Sequence, residues 1–117
     1  MKSPLRKSQE KADKKWQEVC MGNNPKCEIC GKTAHCCHHF FAKSVASSLR
    51  YDLENGIKIC VGCHFRLHNS GDPEYEEIIK KKRGGKWLNY LREKRKQLIK
   101  PSIKYYQGII DNLCQIS

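Results

Sequence analysis

The chain has 117 residues, of which 38% are hydrophobic and 30% are charged, and this composition predicts one globular domain with a modest core. Its 23 Lys and Arg residues against 12 Asp and Glu residues give a formal net charge of +11. No apolar run reaches the roughly 18 residues that a membrane span needs, so we expect no membrane association. The positive charge favours a polyanionic partner, and a Lys-rich solubilising surface is the alternative.

The N-terminal segment, residues 1–25, predicts a basic amphipathic helix over residues 3–20. Ala12, Trp16 and Val19 recur at helical spacing, and lysines occupy the other positions around them. A Gly- and Pro-containing loop ends the helix before residue 26. Because no apolar stretch follows the basic segment 1–7, we expect no secretory signal and a cytoplasmic location.

The middle segment, residues 26–70, contains six of the eight cysteines and all five histidines. Short β-like runs at residues 34–41 and 57–61 predict two strands, and Asn55-Gly56 is a turn signal before the second. A short helix should follow over residues 61–69. The segment therefore predicts a small β-hairpin followed by a helix.

The C-terminal segment, residues 71–117, predicts a helical basic tail. Asp72-Pro73 is typical of a helix start, and this helix should run to Arg83. The two further helices are predicted from apolar stripes: Trp87, Leu88, Leu91, Leu98 and Ile99 in one, ended by Pro101, and Ile103, Tyr106, Ile110 and Leu113 in the other. The three segments together predict an α+β fold.

Two C-x-x-C motifs predict a structural zinc site. Each motif turns two thiolates toward one point, so the two pairs supply the four soft ligands of a closed tetrahedral site. The ligands are Cys27, Cys30, Cys60 and Cys63. A core this small would gain much of its folding energy from the metal.

The remaining cysteines predict packing rather than chemistry. Without an export signal we expect reduced thiols and no disulfide framework. Cys36 and Cys37 are expected in the core, although either one could replace a zinc ligand. Cys20 and Cys114 lie in helical stripes and are expected to be buried.

The histidines predict a second site with a different chemistry. His64 and His68, four residues apart, share one face of the predicted helix, whereas the neighbours His38 and His39 should point in different directions. One of this pair can bind a metal ion while the other acts as a base, which is the division of roles that phosphodiester hydrolysis needs. His35 is expected to be an ordinary surface or packed histidine.

The order of these motifs resembles the zinc-containing HNH endonucleases, also called the ββα-metal or His-Me finger superfamily. The resemblance covers residues 27–68, from the first C-x-x-C motif to His68. The wider layout is similar to phage recombination nucleases of the Rap/NinG kind, on the segment 49–52 and the helices after Pro73. The resemblance implies a ββα-metal core flanked by the basic helix and the helical tail.

The resemblance also implies residue roles. His39 would be the general base and His38 a ligand of the catalytic metal, while Asn55 would pin the connecting loop or touch the metal. The last ligand would be His64 or His68, and we include both. Because His38 stands where many members have Asp, the site is rich in nitrogen, and Mg²⁺, Mn²⁺, Ni²⁺ and Zn²⁺ all remain candidates.

Basic residues predict the DNA-binding surface. Between Lys80 and Lys104 there are 11 Lys and Arg and one acidic residue, Glu93. The helical phasing lets the tail pack its apolar side on the nuclease core while the basic side contacts phosphates without reading sequence. The candidates are Lys80, Lys81, Lys82, Arg83, Lys86, Arg92 and Arg95, together with Arg50. Arg50 either holds the scissile phosphate or pairs with Asp52 as loop scaffolding.

The sequence therefore predicts a metal-dependent endonuclease that cuts duplex or branched DNA with weak sequence preference and takes no small-molecule substrate. The resemblance implies 5′-phosphate and 3′-hydroxyl products, and its looser part implies a preference for branched or non-duplex DNA. A non-catalytic zinc-ribbon DNA-binding module and an RNA-cleaving nuclease on the same scaffold are the alternatives.

Overall fold

The computed structural model describes residues 1–70 and 74–116, and for residues 68–70 it describes the backbone alone. The predicted helix start at Asp72-Pro73 and the side chain of His68 lie outside the described residues. The described chain is a small α+β fold, as predicted, with five helices and one two-stranded sheet. The elements are α1 (Pro4–Met21), β1 (Cys36–His39), β2 (Gly56–Ile59), α2 (Val61–Ser70), α3 (Glu74–Arg83), α4 (Gly85–Lys94) and α5 (Ile103–Ile116).

Helix α1 lies within one residue of its predicted bounds because both of its ends have local stop signals. The Ser3 side chain accepts a hydrogen bond from the backbone N–H of Arg6, and Pro4 occupies the first turn. Gly22, with φ of 60°, ends the helix in a conformation that side chains rarely adopt. Ala12 and Trp16 are the buried residues of the helix.

Strands β1 and β2 form an antiparallel hairpin that is shorter than the predicted runs. Cys36 pairs with Ile59 and His39 pairs with Gly56. Successive side chains alternate between the two faces of a strand. Accordingly Cys37 and His39 contact α1, whereas Cys36 and His38 lie toward α2.

Residues 40–55 connect the strands and include two short 3₁₀ turns, Ser47–Leu49 and Leu53–Asn55. Two tryptophans fix this connection through their indole N–H groups. Trp16 donates to the carbonyl of Asp52 at 3.2 Å, and Trp87 donates to the carbonyl of Glu54 at 2.8 Å. The connection is therefore held from α1 on one side and from α4 on the other.

The buried side chains form two clusters on opposite sides of the hairpin. The first combines both strands, the two C-x-x-C motifs, α3 and α4, around Leu49, Ile57, Ile59, Ile79 and Leu91. The second joins α1 to α5, around Ala12, Trp16, Tyr106 and Leu113. Of the tail helices, α3 and α4 contribute to the first cluster, and α5 packs mainly on α1.

Helix α4 also ends earlier than its apolar stripe predicted. It stops at Lys94, and Leu98 is 97% exposed. Leu91 is the last residue of the stripe to be fully buried. The stripe continues in sequence, but without a packing partner there is no burial to stabilise a further turn of helix. Among the described residues, no helix combines the length and the apolarity needed to cross a lipid bilayer.

The expectation of reduced thiols is wrong for Cys20 and Cys37, which are bonded to each other. Helix α1 crosses the face of β1 to which residue 37 points, and this crossing brings the two sulfurs together. Cys114, expected to be buried, is exposed on α5. Its position in an apolar helical stripe predicted burial, but in the described residues this side chain is exposed to solvent.

Candidate functional site

The four cysteines of the two C-x-x-C motifs converge, as their spacing predicted. The sulfur atoms of Cys27, Cys30, Cys60 and Cys63 all lie within 4.8 Å of one another, and those of Cys30 and Cys60 are 3.5 Å apart. A tetrahedral zinc site with Zn–S bonds of about 2.3 Å has edges of about 3.8 Å. The cluster could therefore hold a structural metal ion.

Backbone hydrogen bonds shape each cysteine pair into a turn. In the first, Gly31 has φ of 79° and its N–H donates to the carbonyl of Cys27 at 2.9 Å. In the second, the backbone N–H of Cys63 donates to the sulfur of Cys60 at 3.4 Å, and this contact lowers the pKa of Cys60 to about 6. Burial, together with the neighbouring thiols, raises the pKa of Cys63 to about 12. Four thiolates at these distances repel one another, so all four ionise together only around a cation.

Three of the predicted histidines lie at a separate cleft of about 390 Å³. The residues that line it are Gln17, Cys36, Cys37, His38, His39, Phe40, Ala42, Lys43 and His64. The cleft is formed by the end of β1, the start of the connection and the first turn of α2. It therefore brings together His38, His39 and His64 from the predicted site residues.

Two contacts fix the ring of His39. Its Nε2 atom lies 2.9 Å from the backbone carbonyl oxygen of Arg50, and the ring stacks on Trp16 with centroids 4.1 Å apart and an interplanar angle of 12°. A carbonyl oxygen can only accept, so Nε2 carries the proton, and in the neutral ring Nδ1 carries the lone pair.

The surroundings of His39 favour this neutral form. Burial lowers the pKa of His39 below its ordinary value of 6.5, and the charges of Lys43 and Arg50 lower it further. The hydrogen bond to the Arg50 carbonyl and the charge of Asp13 act in the opposite direction without reversing the shift. The result is an oriented, unprotonated imidazole at neutral pH.

His38 lies on the other face of β1. Its ring centroid is 5.8 Å from that of His64 and 5.8 Å from the ring of Tyr75, which meets it edge-on from α3. Of the three predicted ligands of a catalytic ion, the structure brings His38 and His64 together. The side chain of His68 lies outside the described residues.

Asn55 is fully buried and holds the connection to the end of β1. Its Oδ1 atom accepts from the backbone N–H of Phe41 at 2.9 Å. Its Nδ2 atom donates to the carbonyls of Phe41, at 3.1 Å, and Leu49, at 3.2 Å. Of the two roles considered for this residue, these contacts correspond to pinning the loop.

His35, which the sequence indicated to be an ordinary histidine, lies in a second group of three metal-ligating side chains. One donor atom from each of His35, Cys36 and His64 falls within 4.8 Å of the other two. The predicted strand 34–41 included His35 and placed it loosely with His39, but β1 begins at Cys36, so the alternation does not extend to His35. The adjacent cysteine, Cys36, is the sequence feature that could have indicated a metal-binding group here.

Arg50 forms a bidentate pair with Asp13 of α1. Its Nε and Nη2 atoms donate to the two carboxylate oxygens at 2.8 and 2.7 Å. The alternative of a pair with Asp52 is wrong, because the carboxylate of Asp52 instead accepts from Tyr90 at 2.6 Å and from Lys94 at 2.7 Å. The guanidinium of Arg50 thus joins α1 to the connection.

Some of the other predicted DNA-binding residues bond to residues within the protein, and others are exposed; Lys82 does both. Arg83 has an internal role, since it pairs with Glu28 beside the first cysteine motif and donates to the carbonyl of Gly56 at 2.9 Å. Lys82 donates to the carbonyl of Glu28, and Lys80 lies 3.8 Å from Glu76. The exposed members are Lys81, Lys82, Lys86, Arg92 and Arg95. The guanidinium of Arg95 lies 5.2 Å from the ring of Phe41, which follows His39 by two residues in the chain.

No protein-family model, no curated protein and no solved structure matches this chain.

Proposed function

We propose that the protein is a metal-dependent endonuclease of the HNH type that hydrolyses DNA phosphodiester bonds with weak sequence preference. The observation that carries the proposal is the state of His39 at the cleft. Its ring is oriented by a backbone carbonyl and an indole, and its pKa is lowered. On the opposite face of β1, the neighbouring residue His38 lies next to His64.

His39 is the general base in this proposal. With Nε2 bonded to the Arg50 carbonyl, Nδ1 accepts a proton from the attacking water. The stacking on Trp16 restricts rotation of the ring, and the carbonyl stabilises the imidazolium that forms. A positioned base of this kind contributes a factor of roughly 10²–10⁴ to the rate.

His38 and His64 are the proposed ligands of the catalytic ion, together with His68. A divalent ion held there would neutralise charge on the phosphate and on the leaving oxygen. The adjacency of His38 and His39 supports this arrangement. Strand alternation turns the ligand and the base to opposite faces of β1, and both residues still line the same cleft. Imidazole ligands suit Mn²⁺, Ni²⁺ and Zn²⁺ as well as, or better than, Mg²⁺.

The four-cysteine cluster has a structural role in this proposal, with Zn²⁺ as the proposed ion. Cys60 and Cys63 stand at the start of α2, the helix that carries His64. A metal bound there fixes the first turn of α2 against the hairpin, and so fixes the position of His64 relative to His38.

Phosphate contacts are proposed to come from the exposed basic residues of α3 and α4 and from Lys43 in the cleft wall. Contacts of this kind position a nucleic acid without selecting its sequence. The position of Arg95 beside Phe41 links this basic surface to the cleft.

Nicking of supercoiled plasmid in the presence of Mn²⁺ tests the proposal, with the wild type compared to His39→Gln. Glutamine can still donate to the Arg50 carbonyl, but it has no basic nitrogen. We expect the variant to lose activity by a factor of roughly 10²–10⁴. Gln107→Ala, an exposed change on α5, serves as the matched control and should cut at the wild-type rate.

Equal inactivity of the wild type and His39→Gln across Mg²⁺, Mn²⁺, Ni²⁺ and Zn²⁺ would refute the nuclease and favour a non-catalytic DNA-binding module. Labelled single-stranded RNA in the same assay distinguishes an RNA-cleaving enzyme. Duplex, forked and four-way-junction DNA compared under one metal condition tests the expected preference for branched substrates, which equal rates would contradict.

A further inference from the structure

A cysteine and two histidines meet beside the cleft, in a group that the proposed nuclease chemistry does not use as a unit. Its members are His35, Cys36 and His64, whose donor atoms lie within 4.8 Å of one another. The sulfur of Cys36 is 3.8 Å from Nδ1 of His64, and the rings of His35 and His64 have centroids 6.0 Å apart. Three ligating atoms therefore surround one point.

The fold fixes the backbone that carries each donor. The N–H of His35 donates to the carbonyl of Ile59 at 2.8 Å, and Cys36 pairs with Ile59 in the hairpin. The N–H of His64 donates to the carbonyl of Cys60 at 2.9 Å in the first turn of α2. The group thus spans the paired end of the hairpin and a turn that begins at a cysteine of the four-sulfur cluster.

We propose that His35, Cys36 and His64 bind a second transition-metal ion of the Zn²⁺ class, distinct from the ion of the four-cysteine cluster. Bonds of about 2.3 Å to sulfur and about 2.0 Å to nitrogen place neighbouring donors roughly 3.6 Å apart in a tetrahedron, close to the observed 3.8 Å. A thiolate with two imidazoles selects Zn²⁺ or Co²⁺ over the oxygen-preferring Mg²⁺.

The burial of the three residues indicates an open site. His35 is exposed, and Cys36 and His64 are partly buried. Three protein ligands leave the fourth tetrahedral position to water or to an added ligand, unlike the four sulfurs of the closed cluster. The site shares His64 with the ligands proposed for the catalytic ion. Because a neutral imidazole ring binds one ion, an ion at this site would compete with the catalytic ion for His64.

Metal titration of the full chain tests the proposal. The protein, reduced with a phosphine and loaded with one equivalent of Zn²⁺ to fill the four-cysteine cluster, is titrated with Co²⁺. We expect a second bound ion per chain and a thiolate-to-cobalt charge-transfer absorption. Both should be lost in Cys36→Ser and the second ion should be lost in His35→Ala, whereas Cys114→Ser and Cys37→Ser should retain both.

The proposal fails if the wild type binds a single ion in total, or if Cys36→Ser keeps the absorption. It also fails if the absorption disappears in Cys37→Ser instead, because a thiol released from the bond to Cys20 would then be the ligand. His35→Ala changes an exposed side chain, so it reports on binding even if Cys36→Ser folds poorly. The titration is independent of plasmid nicking, so the proposed nuclease can fail while the site stands.

Discussion

At the scale of single residues, the cleft depends on a difference between two adjacent histidines. His39 is enclosed by Trp16 and the Arg50 carbonyl, whereas His38 faces α2 and the ring of Tyr75. The two side chains are chemically identical, and their surroundings differ because they point to opposite faces of β1. The roles proposed for them are therefore consequences of strand geometry.

The lowered pKa of His39 predicts the pH profile of nicking at saturating DNA. The base form is the active one, so the rate should rise with pH through a midpoint below 6.5 and be constant at neutral pH. Lys43→Gln removes a charge that lowers the pKa and should move the midpoint to higher pH. Asp13→Asn removes a charge that raises the pKa and should move it to lower pH.

The dependence of the midpoint on metal concentration distinguishes protonation of His39 from protonation of the metal ligands. A midpoint that belongs to protonation of the metal ligands shifts when the metal concentration is raised tenfold, whereas that of His39 stays in place. A midpoint above 6.5, or shifts of the same sign in both variants, would be inconsistent with His39 as the base.

Asn55→Ala should cost about 3 kcal/mol of unfolding free energy, because it leaves a backbone N–H and two carbonyls without their buried partner. Urea unfolding of the zinc-loaded protein measures the loss. Asn112→Ala is the matched control, since Asn112 is exposed on α5, and it should stay within about 0.5 kcal/mol of the wild type. Equal losses in the two variants would show that the pinning contacts carry no stability.

At the scale of elements, α1 packs closely against the start of β2. A Cβ atom added at Gly56 would lie 2.5 Å from the sulfur of Cys20 and 2.9 Å from Cζ2 of Trp16. The φ of Gly56 is −94°, a value that any residue adopts, so the glycine is needed for space and not for backbone freedom.

Gly56→Ala is therefore expected to push α1 away from the hairpin and to destabilise the protein by about 1–3 kcal/mol. Gly108→Ala is the matched control, because Gly108 lies within α5 with open space around it, and it should stabilise the protein by about 0.5–1 kcal/mol. Thermal unfolding of both variants measures the two effects. A neutral Gly56→Ala would mean that α1 does not pack as closely as described.

The sequence predicted those elements that have their own local signals. Ser3, Pro4 and Gly22 set the bounds of α1, and the two C-x-x-C motifs predicted the convergence of four sulfurs. Features that depend on which element packs where could not be predicted. The bond between Cys20 and Cys37 requires α1 to cross β1, and the exposure of Leu98 requires α4 to lose its partner after Leu91.

The candidate site shows the same division. Periodicity indicated that His38 and His39 would point apart, because that follows from any strand. It could not indicate that His35, just outside the strand, would approach His64. It also could not indicate which arginines would be used internally, since the partners of Arg50 and Arg83, Asp13 and Glu28, are 37 and 55 residues away.

At the scale of the whole molecule, the hairpin separates two clusters of buried side chains, and the cleft lies where both approach it. One cluster contains Cys37 and fixes α1 against β1, and the other contains Cys60 and Cys63 and fixes the start of α2. The proposed base, His39, stacks on Trp16 of the cluster that joins α1 to α5, and His64 follows Cys63 of the cluster that contains the two C-x-x-C motifs. Loss of metal from the four cysteines should therefore disturb His64 more than His39.

The distribution of charge predicts how the molecule binds DNA. The net charge of +11 is spread over the chain, but five of the candidates on α3, α4 and the turn that follows α4 are exposed. One of them, Lys82, donates to the carbonyl of Glu28, and the other four are Lys81, Lys86, Arg92 and Arg95. Removing one phosphate-binding side chain should flatten the dependence of log K on log salt concentration by about 0.9. Replacing all four residues by Gln in the His39→Gln background should therefore reduce the slope by about 3.6 and weaken binding at low salt.

Fluorescence anisotropy with a labelled duplex across a salt series measures the slope. Lys11→Gln with Lys14→Gln is the comparison, scored per charge removed, because both lysines are exposed on α1, on the side of the helix opposite the buried Trp16. We expect this pair of changes to leave the slope unaltered. If it flattens the slope as much per charge as the α3–α4 variant, binding follows net charge alone and the basic surface beside the cleft is not the DNA-binding surface.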